Sequence, residues 1–303
     1  YYAQQVEACI RQGVRIVGGC CGTTPEHIRQ IVRRAGHAAP LVSAPSEKKI
    51  QPEKPICKSK IKQKLDEGKR VILVELDPPR SADLGGFMQG ARALAQAGAD
   101  AITIADCPIG RARMDSSILA CKLSRELGIE ALPHMTCRDR NVNATKALLL
   151  GLSMEQVCNV LVVTGDPIPT EDRGSIKSVY QFNSRVLARF ITGLRENGEI
   201  EPFFVCGALN INANRFDLEL ERAKEKTECG VEAFLTQPVL SERAALNLEE
   251  ARHVLKAKLI GGLLPVVSEK NARFLQSEVH GIAVDDAIVR AYEGLDRAQG
   301  EEL

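Results

Sequence analysis

The sequence predicts a (β/α)8-type barrel, an α/β fold in which a parallel sheet is wrapped by helices. Three observations predict it. Short β-rich apolar runs alternate with longer segments of helical period along most of the 303 residues. From the second run onward their starts lie roughly 25–45 residues apart, the repeat of one βα unit. The units recur without a G-x-G-x-x-G after the first strand, which favours a closed barrel over a doubly wound sheet.

The elements follow in order. Strands are expected at 14–17, 71–75, 101–104, 129–133, 160–164, 203–206, 233–236 and 259–264. Amphipathic helices are expected at about 25–35 and at 85–97, 116–127, 142–150, 183–196, 216–229 and 242–256. Between the first strand unit and the rest, the stretch HAAPLVSAPSEKKIQPEKPICKS has neither apolar period and reads as a solvated linker. The expected domains are therefore a βα piece at 1–36, a linker at 37–59 and a barrel at 60–303. The body offers seven strand candidates and the tail after Leu264 no eighth, so the barrel is expected to lack its last strand. Strand 14–17 could supply an eighth, but the linker argues against that closure, because βα loops within a barrel are normally about 2–6 residues. Both ends read as truncated.

Composition narrows the function classes. Forty Lys and Arg oppose 39 Asp and Glu, a formal net charge of +1, which gives no reason to expect nucleic acid or an anionic membrane. Aromatics are only 4% and Trp is absent, so stacking platforms for single strands are not expected. The apolar runs are too short to span a bilayer. Ten cysteines without a paired spacing pattern fit a reducing, cytoplasmic setting better than a disulfide scaffold, most of them serving as small buried hydrophobes.

Barrel active sites are built at the C-terminal ends of the strands. Here those ends carry Glu75 to Pro79, Thr103 to Asp106, His134 to Cys137, Thr164 to Asp166, Asn210 to Asn212 and Thr236 to Pro238. Carboxylates, a histidine, a glutamine and a Gly-Asp turn would share one rim.

VELDPPR at 74–80, LPHMTCRDRN at 132–141, VVTGDPIP at 162–169 and FLTQPV at 234–239 resemble the methylenetetrahydrofolate reductase family, whose fold is an FAD-linked (β/α)8 barrel. ITIADCP at 102–108 and RARMDSS at 111–117 resemble the form fused behind a homocysteine S-methyltransferase domain. VRIVGGCCGTTPEHIRQI at 14–31 resembles the last strand and helix of that methyltransferase.

The resemblance implies roles. Glu75 would be the general acid that protonates a folate nitrogen, which partial burial would favour by raising its pKa; the competing reading is a solvated rim carboxylate. Asp166 would lie beside flavin and folate and favour the cationic 5-iminium form; it could equally close an Asx turn. Gly165 would let the backbone approach the flavin, with Thr164 offering a hydroxyl. His134 and Thr103 would contact flavin, although His134 could be a satisfied strand-end histidine. Lys226 would meet the flavin phosphates, against the alternative of a solvated helix lysine. Asn210 and Asn212 fall in a flavin-contacting loop. Gln237 would meet folate and nicotinamide in turn.

Cys20 and Cys21 match two zinc ligands of the methyltransferase. Catalytic zinc needs at least three protein ligands, so the site is incomplete and zinc is expected only in the complete domain. Departures from the reductase pattern are Glu225 at an often basic position, Ile211 at an often proline position and the missing eighth strand.

The expected activity is flavin-dependent reduction of 5,10-methylenetetrahydrofolate to 5-methyltetrahydrofolate, with FAD as cofactor and NAD(P)H as co-substrate. NADH against NADPH, and a monomer against a homo-oligomer, stay open. Expected partners are folate and nicotinamide small molecules. The alternatives are zinc-dependent methyl transfer to homocysteine in the parent protein, or a non-catalytic open-barrel fragment.

Overall fold

Seven parallel strands carry the larger part of the chain, and in the computed structural model they pair in strict sequence order. The structure describes residues 1–14, 16–34, 57–279 and 281–303, without the side chain at 301. Packing divides the chain into two units, Tyr1–Pro55 and Ile56–Leu303.

In the larger unit the strands are β1 (Leu73–Glu75), β2 (Ala101–Ile104), β3 (Glu130–Thr136), β4 (Asn159–Val163), β5 (Phe204–Leu209), β6 (Ala233–Pro238) and β7 (Lys258–Gly262). Helices α4 (Gly85–Gln96), α5 (Ser116–Leu127), α6 (Val142–Met154), α7 (Ser184–Glu196), α8 (Phe216–Glu228) and α9 (Glu242–Val254) separate them in turn. Several open on a side chain that accepts an otherwise unpaired N–H: Asp115 before α5, Asn141 before α6, Asn183 before α7 and Ser241 before α9. After β7 the chain forms α10 (Glu269–Glu278), α11 (Asp286–Ala291) and α12 (Arg297–Glu302).

Strand side chains alternate between two cores. Ile102, Ile104, Ala131 and Met135 join the layer beneath the helices. Ala101, Leu132, Leu161, Phe204 and Ala233, with Leu73 and Ile260 packed against them, form an inner cluster around Ile61. Residues from the first to the seventh strand can share one cluster only if the sheet curls. The result is a curled seven-stranded half-barrel, which fits a (β/α)8-type barrel short of one strand. Among the described residues, no ladder joins β1 to β7.

Four α-helices of this unit, among the described residues, lie outside the predicted set: the three that follow β7 and one that precedes β1. Helix α3 (Lys60–Asp66) closes the end of the lumen opposite the strand C-termini, and its Ile61 is 1% exposed within the inner cluster. Glu130, on the first residue of β3, accepts the backbone N–H groups of Lys60 and Ile61 at 2.6 and 3.1 Å. Ser59 caps the same helix by accepting the Lys62 N–H.

Three expectations need correction in this unit. Residues 57–59 close the expected linker, but its end is anchored rather than wholly solvated: Cys57 is buried and Ser59 is a helix cap, with Lys58 exposed between them. Residues 37–56 of that linker lie outside the described residues. Cys57 and Cys158 form a disulfide, with Cα atoms 6.0 Å apart, so these two are not separate thiols; cysteine spacing in sequence carries no signal for partners 101 positions apart. Strand β3 continues past 133 to Thr136, because its ladder passes from β2 to β4 at His134.

In the smaller unit, α1 (Tyr2–Arg11) and α2 (Pro25–Arg34) bury Ala3 and Ile31. Glu7 accepts from Arg34, and the Tyr2 and His27 rings meet edge to face. The expected strand at 14–17 does not form: Val14, Ile16 and Val17 are described without strand pairing, and Ile16 is 92% exposed. A strand needs a ladder partner for its backbone groups, and the described residues of this unit provide only helices. No helix among the described residues is long and apolar enough to cross a membrane.

Candidate active site

The two-residue period of a strand decides which rim residues face the lumen. Leu73, Ala101, Leu132 and Leu235 belong to or pack on the inner cluster. Two positions further along the first three of these strands stand Glu75, Thr103 and His134, which therefore face the lumen mouth. Gln237 lies two beyond Leu235, but the β6–β7 register shifts between Leu235 and Pro238, so parity does not set its face. Three of the predicted residues are thus gathered by pleat alone.

Glu75 and His134 come together, with Oε2 of the carboxylate 4.0 Å from Nε2 of the ring. The His134 side chain is 13% exposed and its Nε2 has no hydrogen-bond partner. Burial pushes its pKa down from 6.5 to about 4, against a smaller opposing pull from Asp106, so the ring is neutral at pH 7. Glu75 keeps 60% of its side-chain surface. Lost hydration first, and the Asp77 charge second, raise its pKa above the ordinary carboxylate value. Thr103 is buried beside it, paired in register with Glu75.

Asp166 follows β4 in an exposed turn, and its carboxylate accepts the Ile109 N–H at 2.8 Å. The turn depends on Gly165, whose φ of +96° is unfavourable for side chains; a Cβ there would sit 3.0 Å from Thr136 Cβ. Thr164 is exposed on the same turn.

The remaining predicted residues are engaged locally. Asn210 Oδ1 accepts the Asn212 N–H at 3.0 Å, and Asn212 Nδ2 donates to Pro238 O at 3.1 Å. Asn212 Oδ1 is buried without a partner. Lys226 is not a solvated lysine: its Nζ donates to Ala208 O at 2.8 Å and lies 6.0 Å from the Phe234 ring centroid, and burial lowers its pKa. Gln237 is exposed on the last turn of β6, where Gly262 N–H donates to Thr236 Oγ1 and holds β7 close.

Cys20 and Cys21 are exposed in the smaller unit with Sγ atoms 3.7 Å apart. The Cys21 backbone N–H lowers the Cys20 pKa. No group of three or more His, Cys, Asp or Glu able to hold a metal occurs among the described residues.

A charged network at the exit of β3 escaped the sequence reading. Asp106, 5% exposed, accepts from Thr136 N, Thr136 Oγ1 and Arg140 at 2.9, 3.0 and 2.6 Å. Arg140 also binds Asp115, and these two carboxylates raise its pKa despite burial. Arg138 is 2% exposed, pairs with Asp139, and donates to Asp166 O at 3.0 Å and Cys107 O at 3.3 Å. The available signal was an Arg-Asp-Arg run directly after an apolar strand.

Several solved structures are similar to this chain. One of 2,3-dimethylmalate lyase, a PEP mutase/isocitrate lyase superfamily member, shares 12% identity over 70% of this chain and 74% of its own, at a TM-score of 0.49. One of oxaloacetate acetylhydrolase with an inhibitor shares 13% over 70% and 74%, at 0.48. Tryptophan synthase from M. tuberculosis shares 17% over 80% and 94%, at 0.44. Likenesses this distant carry no inference about activity. A search of curated proteins returns no match. Family models are decisive: "Homocysteine S-methyltransferase" matches residues 1–35, and "Methylenetetrahydrofolate reductase" matches residues 60–301. With its rim residues on a curled parallel sheet and most of its length within that second match, the chain belongs to the methylenetetrahydrofolate reductase family.

Proposed function

We propose that this chain reduces 5,10-methylenetetrahydrofolate to 5-methyltetrahydrofolate with FAD as cofactor and NAD(P)H as reductant. The observation that carries the reading is the Glu75–His134 pair: a carboxyl with a raised pKa facing a neutral imidazole across 4.0 Å at the lumen mouth. Opening the imidazolidine ring requires a proton on a weakly basic nitrogen, and a carboxyl whose pKa is raised is better able to donate it. Glu75 Oε2 is the atom that holds this proton.

The residues fit a flavin. Buried Nε2 of His134 and Oδ1 of Asn212 lack partners, as groups awaiting a polar ligand would. Thr103, His134, Thr164, Gly165, Asp166 and Asn210 would hold the cofactor at the rim. Lys226 would join them by exchanging the Ala208 carbonyl for a phosphate. A bound flavin supplies the hydride chemistry. Asp166 offers a fixed negative charge that favours the cationic 5-iminium form of the folate, and Gln237 orients folate and nicotinamide in turn.

The smaller unit reads as the end of a methyltransferase domain, a remnant of a second barrel joined through 37–59, with Cys20 and Cys21 as two of its zinc ligands. Methyl transfer by this chain is not favoured, because those two ligands fall short of a catalytic set.

The test separates the half-reactions. FAD-loaded protein should oxidise NAD(P)H with menadione and form methyltetrahydrofolate from methylenetetrahydrofolate. Glu75→Gln should abolish folate turnover while NAD(P)H still bleaches the flavin. Equal loss of both half-reactions with flavin bound overturns the role of Glu75, and a chain that binds no flavin overturns the reading as a whole.

A further inference from the structure

We propose that Arg138 is a positioning residue for Asp166, one guanidinium that ties the Asp166 turn to the loop bearing Ile109, through Asp166 O and Cys107 O, and so fixes where the Asp166 charge stands. The inference rests on the reading of Asp166 given above and extends it to a residue outside the reacting groups.

The Asp166 carboxylate is held by one backbone donor, the Ile109 N–H at 2.8 Å. That donor lies in a segment that does not hold its own shape. Cys107 and Ile109 both adopt left-handed backbone, with φ of 49° and 57°. Non-glycine residues there are strained and persist only when their surroundings impose them. Gly110 follows at φ +67°, where a Cβ would stand 2.5 Å from Pro167 O, so this loop is packed directly against the turn that bears Asp166.

Arg138 imposes the arrangement from behind. Its Nη1 donates to Asp166 O at 3.0 Å and its Nη2 to Cys107 O at 3.3 Å, so the two loops are tied to one rigid plane. Asp139 neutralises the guanidinium through Nε and Nη2 at 3.0 and 2.7 Å. Tyr180 braces the other side: its hydroxyl lies 3.4 Å from Gly165 O and 3.3 Å from Asp166 O. The Tyr180 segment is in turn anchored on Arg138, whose carbonyl accepts the Val179 N–H at 2.7 Å. A lysine at 138 would keep the charge but could not serve two carbonyls and a carboxylate at fixed angles.

The test combines Arg138→Lys and Tyr180→Phe, each alone and on an Asp166→Asn background. In the cofactor-free chain, hydrogen exchange at the Ile109 amide should accelerate in Arg138→Lys, because its acceptor is no longer held. In the FAD-loaded chain the folate half-reaction should slow by about 10–100-fold, the scale of a displacement near 1 Å, while reduction by NAD(P)H changes little. On the Asp166→Asn background Arg138→Lys should add no further loss, since groups acting through one another do not add. Unchanged Ile109 exchange, or losses that add across the two sites, overturns the proposal. Should Arg138→Lys fail to fold, Tyr180→Phe removes only an exposed hydroxyl and must show the same pattern at smaller size, or the proposal falls. Asp166→Asn without effect on the folate step would instead overturn the reading of Asp166, and Ile109 exchange would still decide whether Arg138 holds the contact.

Discussion

Replacing His134 with Gln should relieve a measurable acid penalty on folding. The ring's pKa falls from 6.5 to about 4 because burial disfavours the imidazolium. The sign follows from proton binding. Between pH 6.5 and about 4 the unfolded chain takes up a proton that the folded chain refuses, so stability falls as pH falls through that window. Above it both states are neutral, and below it the loss is complete. At about 1.4 kcal/mol per pKa unit, a shift of this size amounts to about 3 kcal/mol. Urea midpoints measured for both proteins at pH 7.5 and pH 4.5 check it. Wild type should lose about 2.5 kcal/mol more than His134→Gln over that interval. The ring's NMR signals should show no titration near 6.5. Parallel loss of stability in the two proteins, or a titration at the ordinary histidine value, would refute the argument that the site keeps this ring neutral by burial.

Three further outcomes are expected. Glu75→Gln should raise the melting temperature at pH 8: a carboxyl whose folded pKa is raised weakens the fold wherever it must ionise. The gain should vanish below the ordinary carboxylate pKa, and thermal melts at pH 8 and pH 4 test both halves. Ile61→Ala should cost about 2–5 kcal/mol in urea denaturation, because it empties the position that plugs the lumen; a loss under about 1 kcal/mol would mean that α3 does not close the barrel end. Reducing the Cys57–Cys158 bridge should lower stability by about 2–5 kcal/mol, since it closes a loop of 101 positions. Cys158→Ser should show the lower midpoint with and without reductant.

Much of the fold was legible because it depends on local pattern. All seven strands of the sheet fall within a few residues of the apolar runs that predict them, and pleat parity then carries Glu75, Thr103 and His134 to one mouth. What was not legible depends on partners distant in sequence. Pro133 removes a ladder donor, a local sign that a strand is ending, yet neighbours on both sides carry β3 to Thr136. Helix α3 has the composition KIKQKLD, with two apolar residues among lysines, and forms because Glu130 and the lumen receive it. Arg138 binds two main-chain carbonyls, 28 and 31 positions away, and no pattern of side chains announces a carbonyl. The run at 14–17 had strand-like residues but no ladder to join.

The distribution of charge at the rim bears directly on what Glu75 can do. A proton donor working near neutrality must not stand beside a cation, because an adjacent guanidinium would hold it ionised. Two arginines leave the same strand that carries His134, close enough in sequence to have served that purpose. Both are committed elsewhere: Arg140 to Asp106 and Asp115, Arg138 to Asp139 and two carbonyls. Glu75 is left facing an imidazole that burial keeps neutral, with a like charge at Asp77 as its nearest electrostatic influence. The acidic network around Arg138 and Arg140 thus does two things at once. It ties together the loops that carry Asp166, and it engages positive charge that would otherwise oppose the proton-donor role proposed for Glu75. Removing one of the two carboxylates that hold Arg140, by Asp106→Asn, should therefore lower the apparent pKa that governs the folate half-reaction, read as a shift of its pH profile to lower pH; a profile that stays in place would show that Glu75 is insulated from the network.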